Sequence, residues 1–158
     1  MEICIVAVGK IKEKSLKMLI EDYSKRLRKY AKLSIIEVKD QPEKKNASIE
    51  DLNQLREVEA TKIREHIKDG YKIALAIEGN SYSSEGFSKM IEDVKTYYGS
   101  RMYFIIGGSY GLSDSLKKEM DRLVSFSMFT FPHQLMRLIL LEQLFRSMKI
   151  SNNEPYHK

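Results

Sequence analysis

Three unbroken apolar runs limit what this chain can fold into: residues 3–8 (ICIVAV), 73–77 (IALAI) and 102–106 (MYFII). A strand with one wet face alternates polar and apolar side chains, whereas these runs carry no charge on either face. They predict core strands covered above and below, which is the arrangement of a mainly parallel sheet with helices on both faces. Each run gives way to glycine at or just past its end, at Gly9, Gly79 and Gly107. Two weaker strands, 33–38 (LSIIEV) and 123–126 (LVSF), bring the sheet to about five.

Between the strands the period changes. Leu16, Leu19, Ile20, Tyr23 and Leu27 recur at three- and four-residue steps among lysines and arginines, which predicts an amphipathic helix from about residue 13. Ser48 and Asp51 have capping-box spacing and open a highly charged, solvent-facing helix through 67, and Ser83 or Ser84 caps another to about 98. Ser113 and Asp114 start a short helix, and Pro132 opens the last one, to about 149. That final helix is apolar almost all round, so it must be covered, either inside the core or against a second subunit. The alternation of strand and helix makes the class α/β. The 158 residues fit one domain, with 40–65 as a spare segment that does not found a core of its own.

Composition removes several classes. A hydrophobic fraction of 42% and a charged fraction of 31% exclude wholesale disorder. The single cysteine, Cys4, excludes a disulfide scaffold and reads as a small buried hydrophobe in a reducing compartment. The longest stretch without a charged residue, 123–136, has 14 residues, short of the ~20 a membrane helix needs. The amino-terminal run lacks a signal peptide's layout, so the expected location is the cytoplasm. A net charge of +5 favours polyanions without identifying one.

In open α/β sheets ligands gather beyond the carboxyl ends of the strands. Three such ends look prepared here: 75–79, 107–111 and 126–132. Gly107, Gly108 and Gly111 have the spacing G-G-x-x-G, which fits neither the dinucleotide fingerprint nor the Walker phosphate loop, and tight turns alone would also explain them. Residues 107–111 do match G-x-S-x-G, making Ser109 a candidate hydrolase nucleophile with His133 and Asp114 or Asp121. Against this, the following helix starts several residues after the serine, and the chain is short for that fold. His66, His133 and His157 are too scattered for a metal site, and none is expected. His133 and Arg137 share a helix face at i and i+4, either as a decorating polar pair or as receivers of an anion at the helix N-terminus.

The chain resembles the ribosomal RNA large subunit methyltransferase H family, small members of the SPOUT class of α/β-knot methyltransferases. The resemblance is carried by VAVGK (6–10), IGGSYGL (106–112), SFSMFTFPHQLMR (125–137), LEQLFR (141–146) and PYHK (155–158), and covers nearly all of the chain. Phe129 departs from the smaller aliphatic residue or methionine usual there. The resemblance implies a homodimer with a C-terminal trefoil knot, transferring a methyl group from S-adenosylmethionine to N3 of a pseudouridine in 23S ribosomal RNA on the assembled ribosome. It places cofactor contacts on Leu75, Gly107, Gly108, Phe126, Ser127, Met128, Phe129, Thr130 and Phe131. His133 and Arg137 become catalytic candidates, as base, anion stabiliser or RNA grip, and Tyr156 and His157 close over the site. Lys10, Lys12, Lys14, Arg137 and Lys158 are candidate phosphate contacts, although ordinary solvation suffices for any one lysine. A ribosome- or RNA-binding module without catalysis is the strongest rival, and the serine hydrolase a weaker one.

Overall fold

The structure is a computed structural model and describes residues 1–156. Five strands, β1 (Glu2–Val8), β2 (Lys32–Val38), β3 (Tyr71–Ser81), β4 (Arg101–Ile106) and β5 (Arg122–Ser125), form one sheet in the order β2-β1-β4-β3-β5. Every pairing is parallel, as the unbroken apolar runs require. The connections are α1 (Lys14–Leu27), α2 (Ile49–Arg64), α3 (Ser84–Tyr97) and α4 (Asp114–Lys118), and α5 (His133–Ser151) follows the last strand.

Because side chains alternate along a strand, β1 feeds two cores. Ile3, Ile5 and Ala7 join Met102, Phe104 and Ile73 on the face covered by α1, α3 and α5, which contribute Leu27, Phe87, Ile91, Leu140 and Leu144. Cys4, Val6 and Val8 join Tyr103 and Ile105 on the other face, beneath α2 and α4. The buried Cys4 matches its reading as a small hydrophobe. Helix α2 differs from the sequence expectation. Ser48 does make the capping box with Asp51, but Glu59, Ala60 and Ile63 are buried, so the helix is not merely solvent-facing. Its abundant charge hides a narrow apolar stripe, from which Ala60 and Ile63 enter the second core.

Strand β3 also departs from expectation. The sequence ends it at 77, yet it runs to Ser81, because Leu75 and Asn80 both pair with Val124 and the residues between them leave the ladder. Gly79 permits the return: a Cβ there would sit 2.6 Å from the backbone of Leu123 and Val124. The sequence signal for a stop was in fact the signal for an excursion.

Candidate active site

Strand order reverses direction between β1 and β4, the position at which open sheets leave a crevice beyond their carboxyl ends. A cavity of about 390 Å³ lies at that end of the sheet. All three strand ends singled out in the sequence line it: the β3 excursion from Leu75 to Glu78, the glycine turn after β4, and the segment after β5.

Close backbone approach builds the glycine wall. Gly107 is buried, and a Cβ on it would lie 2.6 Å from the carbonyl carbon of Gly111. Gly111 has φ +75° and donates its N–H to the Gly108 carbonyl at 3.0 Å, closing the turn. After the turn, Ser113 caps α4 by accepting the Leu116 N–H. Ser109 is exposed and makes no hydrogen bond to His133, so no nucleophile–base pair forms there.

Hydrogen bonds local to the β5 exit shape the opposite wall. The Ser125 hydroxyl donates to the Ser127 carbonyl at 3.2 Å, and the Ser127 hydroxyl oxygen accepts the Phe129 N–H at 2.9 Å. Phe126 is anchored edge-on against Phe87, with ring centroids 5.4 Å apart. Phe126, Ser127, Phe129, Thr130 and Phe131 all line the cavity with Leu75, Gly107 and Gly108, whereas Met128 does not and is 83% exposed.

His133, the first residue of α5, lines the cavity and lies against Gly9 at the end of β1, where an added Cβ would come within 2.9 Å of its Nε2. Burial lowers its pKa below the ordinary imidazole value, and the nearby positive charge of Arg137 lowers it further. Arg137 lies away from where an anion receptor would be expected. It is 1% exposed and absent from the cavity wall; its guanidinium donates to Glu37 Oε1 at 2.6 Å and to the Gly9 carbonyl at 2.9 Å. Glu37 also accepts the Ile11 N–H, so one carboxylate and one guanidinium tie the β1 exit, β2 and α5 together. Burial pushes the Arg137 pKa down while Glu37 pulls it up. Lys10, Lys12 and Lys14 are exposed beside this corner, and the Lys12 N–H donates to Gln134.

Tyr156 lies elsewhere in the chain. Its hydroxyl donates to Glu142 at 3.2 Å and lies 3.5 Å from the Tyr23 hydroxyl, its ring packs edge-on against Phe145, and Arg146 stands over its face. Burial and the tyrosine and carboxylate beside it raise its pKa. Glu142 is nine residues beyond His133, roughly 14 Å along the helix, so Tyr156 does not close over its own chain's cavity. His157 and Lys158 lie outside the described residues.

Sequence reasoning missed three charged residues at the site. Arg56 and Lys117 line the cavity; Lys117 bridges Glu78 at 2.5 Å and Asp114 at 2.7 Å, clamping the β3 excursion to α4. Glu59, 4% exposed, lies under Gly108 and accepts the Gln41 N–H at 3.0 Å, and burial raises its pKa. All three are hidden in ordinary charged-helix patterns, and only Glu59's place on the apolar stripe of α2 could have signalled it. Among the described residues no group of three or more potential ligands could hold a metal ion.

Residues 1–157 match the family described as "Predicted SPOUT methyltransferase", and the chain belongs to that family. Solved structures agree in fold: a Legionella pneumophila protein described as a methyltransferase with bound SAM (TM-score 0.51, 12% identity, 91% of this chain and 65% of that one), a Haemophilus influenzae Rd KW20 protein of a methylase family (0.54, 11%, 99% and 70%) and a Bordetella pertussis Tohama I protein described as a methyltransferase (0.52, 8%, 93% and 93%). The chain is also 50% identical, over 159 aligned residues and the whole length of both partners, to proteins from Clostridium botulinum (strain 657 / Type Ba4), Clostridioides difficile (strain 630) and Shouchella clausii (strain KSM-K16). Each of these is named ribosomal RNA large subunit methyltransferase H, and it is within that branch of the SPOUT methyltransferases that this chain falls.

Proposed function

We propose that residues 1–158 act as a single methyltransferase domain, homodimeric and cytoplasmic, that transfers a methyl group from S-adenosylmethionine to N3 of a pseudouridine in the large-subunit ribosomal RNA of assembled ribosomes. The family's C-terminal trefoil knot, in which the chain threads a loop, is part of the same reading. The observation that carries the proposal is the meeting of three glycine- and phenylalanine-bearing strand ends on one cavity, with His133 at its edge. Relatives with half of their residues in common are named for ribosomal RNA, and a protein of the same fold has been solved with SAM bound.

The residues present fit this donor. A volume of about 390 Å³ is within the range of small-molecule sites. Leu75, Ile106 and Phe126 offer an apolar slot for a purine, and the glycine turn brings backbone donors and acceptors close enough to read its edge. When bound, the donor supplies a methyl group already activated on a sulfonium, so the protein's task is orientation. Burial and the charge of Arg137 make His133 harder to protonate than an ordinary imidazole, which favours the form able to take the proton that the acceptor nitrogen must lose. Arg137 acts one step back, holding the β1 exit and α5 in register through Glu37 and Gly9.

Calorimetry with S-adenosylmethionine tests the donor, and mass spectrometry of ribosomal RNA from cells lacking this protein tests the acceptor. The expected results are saturable binding and the loss of one methyl group from one pseudouridine, restored by the intact chain. Ribosomal RNA with unchanged modification would overturn the assignment.

A further inference from the structure

The cavity carries a cation that is in no direct ion pair among the described residues. Of the other charged side chains lining it, Lys117 is held by Glu78 and Asp114, and Glu78 is engaged in turn by Lys117. Arg56, brought to the same wall by α2, hydrogen-bonds only neutral groups: one guanidinium nitrogen reaches the Tyr110 carbonyl at 3.5 Å and another the side-chain oxygen of Asn53. The exposed Asp114 carboxylate, already held by Lys117, feels the charge of Arg56 from a greater distance. Among the described residues no carboxylate is within ion-pair distance of it. A half-buried guanidinium is planar, permanently charged and rich in donors, and it matches a carboxylate bidentately. The long contact with the Tyr110 carbonyl sets the group beside the glycine turn and leaves its donors unspent.

S-adenosylmethionine has one anionic group, the carboxylate of its amino-acid end. Since the apolar walls suit the adenosine end, the charged end falls to the polar part of the cavity, where Arg56 is the cation with no carboxylate in direct contact. We infer that Arg56 binds the cofactor carboxylate and so makes the site selective for donors that keep the amino-acid end. The inference rests on the proposed use of S-adenosylmethionine. A phosphate of RNA is the competing anion, but Arg56 lines a cavity sized for a small molecule.

Calorimetry on the full chain with three ligands tests this: S-adenosylmethionine, S-adenosylhomocysteine, which keeps the carboxylate, and 5′-methylthioadenosine, which lacks the amino-acid end. In Arg56→Ala and Arg56→Gln the first two are expected to weaken at least tenfold and the third less than twofold, with part of the loss recovered in Arg56→Lys. Equal weakening of all three ligands in both variants would overturn the inference, leaving Arg56 a support of the glycine turn. Unchanged binding of all three with weakened binding to ribosomes would overturn it in favour of an RNA phosphate. If the unaltered chain bound none of them, the proposed function itself would fall.

Discussion

His133 joins geometry to chemistry at a single side chain. Protonation is harder in the fold than in the open chain, because the ring is partly buried and Arg137 is close. A lowered folded pKa means that its contribution to stability is whole above the ordinary value of 6.5 and is lost as pH falls through the folded value. Methylation should decline over the same acid range. His133→Asn is expected to cost roughly 10²-fold or more in rate, to flatten the acid limb, and to leave the thermal midpoint at pH 8 nearly unchanged, as rate–pH profiles and calorimetric scans would show. Glu59 has the opposite sign. Its folded pKa is raised by burial, so the carboxyl favours the fold below its unfolded value and that advantage is lost as pH rises through the folded one. Glu59→Gln keeps an acceptor for the Gln41 N–H but buries no charge, and is expected to stabilise the protein at neutral pH by about 1 kcal/mol, read from urea midpoints.

At the scale of elements, the site depends on backbone that comes closer than side chains allow. Gly107→Ala would force a methyl group into the Gly111 carbonyl, costing about 1–3 kcal/mol of overpacking and opening the turn. Cofactor affinity should fall more than tenfold while circular dichroism stays that of the parent. These turns were legible because runs such as ICIVAV and MYFII must be covered on both faces and must end somewhere, and glycine marks the end. The β3 excursion was not legible, since a strand that leaves the ladder and returns carries the same local residues as one that stops. Buried positions on α2 were equally hidden: Glu59 and Ala60 look like two more residues of a polar helix until the second core is assembled around them. Arg137 was placed on the right helix face, but its partner, Glu37, is 100 residues away and invisible to spacing.

For the whole molecule, the position of Tyr156 sets the question. Its hydroxyl is engaged by Glu142 and its ring by Phe145, well down α5 from His133. If Tyr156 serves catalysis, its position assigns it to the cavity of a second copy. For the proposed homodimer, the apolar side chains available on this side are Met18 at 63% and Leu19 at 49% exposure on α1, with Leu135 at the surface of α5, which packs on α1. Two inactive chains then decide the arrangement. His133→Asn keeps the tail and loses the base, while a chain lacking 155–158 keeps the base and loses the tail. Each alone should be dimeric by sedimentation and inactive. Co-refolded in equal amounts, they would place one intact base beside one intact tail in each mixed dimer, restoring roughly a quarter of the parent rate. Tails acting on their own chain would restore nothing, because neither protein then carries both parts.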